Sequence, residues 1–451
     1  MKCRDRERDE PQAELFKIEL TRFLDMDHAM VKLADRIDWE GFHAAFDAMW
    51  SDRTGRPAID TRLMVSLHYL KYTYDLSDEA VVEGWLQNPY WQYLSGMRYF
   101  QHEVPLDPSS MSRWRGRAGQ AGAEELLAQT ISAGLELKAV KPSQLKRVNV
   151  DTTVQEKNVR FPTDSRLYDR ARERLVKAAR AEGIELRQSY ARVGKILLKQ
   201  QSRYAQVKQF KRARRCQRKL RTILGRVIRD IERKSGGQVG LELAELLVRA
   251  KRIHAQQRHD KKKLYSVHAP EVECISKGKA HKRYEFGVKV SVATTSRGGW
   301  HVGAMSCPGN PYDGHTLGSA LQQVGRILGR DPEHAFVDQG YRGHGCAGPT
   351  EVHVDKKKRG RTARSLWKWM KRRAAVEPGI GHLKSEHRMD RNRLHGTQGD
   401  MINALMSAAG MNFRKLLKHA GQLCRRIFEL LLAAIRRPIA APSLGAVIAA
   451  A

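Results

Sequence analysis

Apolar positions along this chain change period several times, and the changes mark out its organisation. Residues 15–140 follow a helical period. Ile59, Leu63, Leu67 and Leu70 recur at i, i+4, i+8 and i+11, which predicts a helix after Arg56-Pro57. Ser77 is placed to cap a helix running through Leu86, which Asn88-Pro89 ends. Asp107-Pro108 predicts the start of another, SSMSRWRGRAG, which carries Arg113, Arg115 and Arg117. At residue 147 the period drops to two: Val148, Val150 and Thr152 alternate with Asn149 and Asp151, as in a half-buried strand. Residues 165–263 return to the helical period. Leu220, Leu224, Val227 and Ile231 form a stripe, and two or three long helices joined near Gly183 and Gly236-Gly237 are expected.

β-Branched runs then resume. Phe286-Gly-Val-Lys-Val-Ser-Val and Trp300-His-Val-Gly-Ala-Met flank Arg297-Gly-Gly, a hairpin pattern. The loop CPGNPYDGHT leads to a helix with Leu317, Leu321 and Val324. Short strands at Ala335-Phe-Val and Val352-His-Val follow, then a helical stretch from Leu366. Strands leading into strand–helix alternation predict an α/β fold with a mixed sheet flanked by helices. The expected divisions are a helical N-terminal domain (1–140), an α/β domain in two pieces (141–164 and 264–420), a helical insertion (165–263) and a tail (421–451). The 451 residues are enough for two to four domains.

Charge sharpens this picture. The chain has 82 Lys and Arg against 49 Asp and Glu, a net +33 with pI ≈ 10.1. Residues 1–140 hold 17 basic and 23 acidic residues, whereas 165–263 holds 30 and 9, and 355–373 holds 10 and 1. Two basic blocks within an apolar-patterned chain point to a polyanion, most simply nucleic acid. Lys356, Lys357 and Lys358, with Arg113 and Arg115, are candidate phosphate contacts. The N-terminal helix–turn–basic helix is compatible with a helix-turn-helix reader and equally with a plain bundle. The longest apolar run, Phe428 to Ile435, is too short for a membrane span, and the charged start MKCRDRERDE has no signal-peptide h-region. Six cysteines without C-x-x-C or zinc spacing predict a reduced, cytoplasmic protein, and a nucleic-acid partner places it at the nucleoid. The remaining histidines show no pairing at ligand spacing.

Three carboxylates stand out. Asp151 lies on or ends the first strand, and Asp338 ends AFVD before a glycine-bearing turn. In open α/β sheets, sites form at the carboxyl ends of strands, so the two can share a crevice. Glu377 follows in a helical context, with Arg373 four residues before it and Lys384 seven after. Pro378 predicts a break or a new helix start there. Hard divalent cations such as Mg²⁺ favour carboxylates with water and phosphate, and metal pairs serve in-line phosphoryl displacement. Asn310, Asp313 and His315 either flank such a site or form a capping turn, and Tyr341 and Arg342 either touch DNA or brace theirs.

Several stretches carry a family resemblance: GRPAIDTRLMVSLHYLKY, LSDEAVVEGWLQNPYWQYLSG, VNVDTTVQEKNVRFPTDSRL, YSVHAPEVECISKGKAHKRYEFGVKVSV, NPYDGHTL, VDQGYRG and VEPGIGHLKSEHRMDRNRLHG. With these, from about residue 20 to 420, the chain resembles a DDE transposase of the insertion sequence five group, within the wider insertion sequence four superfamily. The resemblance implies an RNase H-like core in which Asp151, Asp338 and Glu377 hold two Mg²⁺ ions, with Mn²⁺ able to substitute. It aligns Arg373, Glu377 and Lys384 with a tyrosine–arginine–glutamate–lysine signature whose tyrosine position is Met370. It further implies cleavage at terminal inverted repeats, strand transfer into target DNA, and a homodimer or larger synaptic complex. The rivals are a nuclease on the same fold that never joins ends, and a non-catalytic or domesticated DNA-binding protein.

Overall fold

The structure is a computed structural model, and it describes residues 17–47, 49–50, 58–276, 282–356 and 362–435, with side chains described as far as residue 422. The N-terminal helices are α1 (Leu20–Phe23), α2 (Ala29–Ala34), α3 (Trp39–Asp47), α4 (Thr61–Thr73), α5 (Asp78–Gln87), α6 (Pro89–Leu94) and α7 (Ser109–Glu136). Then come β1 (Arg147–Glu156), α8 (Asp164–Ala181), α9 (Ala191–Gln206), α10 (Phe210–Ser235) and α11 (Leu241–Ala255). The remainder is β2 (Glu273–Ser276), β3 (Tyr284–Thr295), β4 (His301–Cys307), α12 (Asp313–Leu328), β5 (His334–Val337), β6 (Glu351–Val354), α13 (Arg364–Arg372), α14 (Val376–Glu386) and α15 (Gly396–Ile435).

The chain divides into two compact units. The first takes Met1–Lys146, Trp300–Val302 and Ala408–Ala451. Its helices begin where side chains satisfy the free N–H groups of the first turn. Asp60 accepts from the Leu63 N–H at 2.7 Å, so α4 starts at Thr61 and Ile59 lies before it. Ser77 accepts from the Ala80 N–H at 3.1 Å, and Asn88 caps α6. The core is aromatic: Phe46 packs on Trp114 at 5.0 Å between centroids, and Tyr69 stacks on Phe413 at 4.8 Å.

The second unit takes Arg147–Gly299 and Gly303–Ser407. Its sheet runs β2-β3-β1-β5-β6, with β4 also on β3. β1 is antiparallel to β3 and parallel to β5, and β5 is parallel to β6. This is the RNase H-like mixed sheet that the resemblance implies. Helices cover both faces. Asn149 donates to the Arg372 carbonyl at 3.2 Å on one face, while Thr152, pointing the other way, reaches Asp313 at the start of α12 at 3.1 Å. β1 is buried on both faces, as a central strand must be, and is not the half-buried strand its alternation predicts.

The basic stretch after β1 is four helices, α8 to α11, where two or three were expected. The joints expected at Gly183 and Gly236-Gly237 are present, and the extra break falls at Lys208, a non-glycine residue in left-handed backbone (φ 58°) that no Gly or Pro announces. The segment has its own core, including Leu175, Leu220, Leu224, Ile231 and Ile253. Lys211, Arg212, Arg214, Arg215, Arg218 and Lys219 face outward on α10. One strand, β2, has no counterpart in the sequence reading.

Candidate active site

Register brings the acids together. β1 and β5 pair Arg147 with His334 and Asn149 with Phe336. Carried two residues further, the same register sets Asp151 level with Asp338. β5 and β6 pair Val337 with Val354, and the Asp355 N–H donates to the Val337 carbonyl at 2.9 Å. One step on, Asp355 is level with Asp338. Three acids therefore stand in a row across three parallel strands, at about 4.8 Å per strand. Asp151 lies within its long strand, while Asp338 and Asp355 follow the carboxyl ends of short ones.

A cation spans the row. Arg373 lies 3.6 Å from Asp151 Oδ2 and 4.0 Å from Asp355 Oδ2. Its Nε is buried and makes no hydrogen bond among the described residues. Arg373 sits in a 3-10 turn between α13 and α14. The break predicted around Pro378 thus falls one turn earlier, and Pro378 occupies the first turn of α14, where its missing N–H leaves no bond unmade. α14 packs against β1 through buried Val376 and Leu383. Glu377 is exposed in its first turn and makes no ion pair among the described residues. Lys384 is half-buried further along the helix, and Met370, at the signature's tyrosine position, is buried.

A fourth acid joins from the other face. Asp313, the first residue of α12, accepts from Thr152 Oγ1 at 3.1 Å and from Lys289 Nζ at 2.9 Å. Asp338 Oδ1 accepts from the Gly340 N–H at 2.9 Å. A Cβ on Gly340 would stand 3.0 Å from Asp338 Oδ1 and 3.3 Å from Asp313 Oδ2, so both carboxylates line one small cradle that glycine leaves open. Tyr341 is fully buried. Its hydroxyl is pushed well above the usual phenol range by burial first, then by the negative charge of Asp151, Asp313 and Asp338. Tyr341 therefore braces the site from within as a neutral phenol.

The other candidates are placed as follows. Asn310 adopts φ 45° in the loop before α12, and His315 packs edge-on to Tyr312 at 5.5 Å. The Arg342 carbonyl accepts from Tyr312 Oη at 3.0 Å, while the Arg342 side chain is exposed. Lys356 and Arg113 are exposed, and Lys357 and Lys358 lie outside the described residues. Arg115 is a correction: it is buried and forms two bonds to Asp78, at 2.8 and 2.6 Å, so its guanidinium cannot meet a phosphate. Sequence reasoning missed Asp355 and Lys289. The first could have been found by comparing AFVD with VHVD, since both are β-branched strand ends closed by aspartate.

The acids with Thr152 and Tyr341 make an oxygen-rich set of the kind that hard divalent cations select. Arg373 already places positive charge between Asp151 and Asp355, where it offsets the repulsion between the two carboxylates. Two family models match the chain: Transposase domain (DUF772) over residues 18–117, and Transposase DDE domain over residues 246–413. The second includes Asp338, Asp355 and Glu377, while β1 with Asp151 lies before it. A curated relative, the uncharacterized protein ORF8 in the nfe locus of Rhizobium meliloti, is 50% identical over 197 residues. The alignment covers 44% of this chain and 95% of that relative. No solved structure matches the chain. With both models and the sheet topology in agreement, the chain belongs to the DDE transposases, DNA-binding nucleotidyl transferases that work with a divalent metal.

Proposed function

We propose that this transposase, of the insertion sequence five group, cuts DNA at the terminal inverted repeats of its own element and joins the exposed 3′-hydroxyls to target DNA. The observation that carries this reading is the register that sets Asp151 level with Asp338 on adjacent parallel strands, with Arg373 at 3.6 Å from Asp151. Glu377, four residues past Arg373 on a helix packed against β1, is the third member of the set. Asp151, Asp338 and Glu377 would hold two Mg²⁺ ions, or Mn²⁺ in their place. When bound, such ions supply charge stabilisation at the attacking and leaving oxygens of an in-line displacement.

The protein's own residues do the positioning. Lys289 and Thr152 fix Asp313 beside Asp338, and the Gly340 N–H orients the Asp338 carboxylate. Arg373 and Lys384 would meet phosphates flanking the cut, with Arg373 exchanging its acidic partners for DNA. Lys356 and the outer face of α10 would follow the backbone further out. The N-terminal helices, with Arg113 exposed, would hold the element's end. Two ends must meet, so a homodimer or larger synaptic complex acts, in the cytoplasm at the nucleoid. No helix among the described residues is long and apolar enough to cross a membrane.

The test uses the full chain with labelled inverted-repeat ends. Asp338→Asn is expected to abolish cleavage while leaving binding within about twofold of wild type. Pre-cleaved ends should be joined to target DNA by the wild type. A mutant that still cuts would remove the site assignment, and cutting without joining would make the protein a nuclease.

A further inference from the structure

A second ligand cluster lies at the opposite end of β5 from Asp338. His334 Nδ1 and His353 Nε2 are 3.1 Å apart, and Glu351 Oε2 is 3.2 Å from the first and 3.6 Å from the second. The three are brought together by backbone register. His334 pairs with Glu351 and Phe336 with His353 across parallel strands, so all four side chains share one face. The His353 ring stacks on buried Phe336 at 5.0 Å, which fixes its plane.

We infer that His334, Glu351 and His353 form a transition-metal site, of the zinc class, separate from the acidic row. An ion held at about 2.0–2.1 Å by tetrahedral ligands sets those ligands about 3.4 Å apart. The three observed separations bracket that value. Imidazole nitrogens with one carboxylate select zinc-like ions over magnesium, whereas the acidic row has the reverse preference. Glu351 is 65% exposed, so the cluster opens to solvent on its side. His334 precedes Asp338 by four residues, about 13 Å along an extended strand, so the two sites are distinct. Both β5 and β6 are four residues long, and each is followed directly by an acid of the row. An ion across their starts would clip together the strands that present Asp338 and Asp355.

The test uses the full chain stripped by chelator, titrated with Zn²⁺ against a chromophoric competitor, and loaded in parallel with Co²⁺. Expected are one zinc per chain and the visible bands of tetrahedral cobalt. Glu351→Gln, on an exposed side chain, should weaken zinc by at least about tenfold, and His353→Gln by more. Asp338→Asn should bind zinc as wild type does. Absence of stoichiometric zinc would overturn the inference, as would zinc retained by a His334→Gln/His353→Gln double variant. A thiolate-to-cobalt charge-transfer band, placing the ion on cysteines, or loss of zinc in Asp338→Asn, placing it on the acidic row, would also overturn it.

Discussion

Arg115 shows how one basic residue can be put to a use its neighbours do not share. Arg113, two positions earlier in the same helix, is exposed, while Arg115 is buried against Asp78, which also accepts from Lys71 at 2.7 Å. Burial alone would raise the Asp78 pKa, but the bonds from Arg115 and Lys71 outweigh it and hold the carboxyl below its usual range. Arg115→Ala is expected to cost about 3 kcal/mol in urea unfolding, because it strips a buried carboxylate of its main partner. Beside them, burial and then the Arg115 charge push the His68 imidazole down to about 3. The unfolded chain takes up that proton near pH 6.5 and the folded chain only near 3, so stability should fall as pH drops through that window. His68→Leu should flatten the fall, measured as the urea midpoint against pH. Nothing local in the sequence separates Arg113 from Arg115, since Asp78 lies 37 residues away.

Elements were more legible than contacts. The period-two runs located β1, β3, β4, β5 and β6, and capping residues placed the starts of α5 and α7. The β2 segment ECIS is short and mixed in polarity, so it carries no strand pattern until β3 offers it a partner. Asp151 and Asp338 could be picked out as strand-borne acids, yet their alignment is a property of register, which a single sequence does not print. Asp355 was hidden by the basic residues that follow it. His334 and His353, 19 residues apart, have no ligand spacing along the chain and acquire one only across two strands. Close approach between elements was equally invisible. A Cβ on Gly410 of α15 would lie 2.6 Å from the Tyr72 Cβ and 2.7 Å from its backbone carbon in α4. Gly410→Ala should therefore cost about 1–3 kcal/mol by forcing those helices apart, read as a lower thermal midpoint with unchanged helical content.

At the scale of the whole chain, the positive charge is concentrated in particular segments. Residues 165–263 carry 30 basic against 9 acidic groups, and their apolar residues close on their own core, which leaves the outer faces to lysine and arginine. If those faces and the 355–373 run neutralise about six to ten phosphates, log affinity should fall with log salt at a slope of about −5 to −9. Filter binding across a salt series measures it, and a slope near zero would remove the electrostatic part of the proposal. The four-helix segment also leaves the sheet and returns to nearly the same point, since Lys263 Nζ meets Asp164 Oδ1 at 3.2 Å. A detour whose two feet touch can be lengthened, exchanged or removed at little entropic cost to the rest. Replacing residues 165–262 with a short glycine–serine bridge should leave the acid row able to cut while the salt slope shrinks, so that grip on DNA and chemistry on it could be varied independently within one polypeptide.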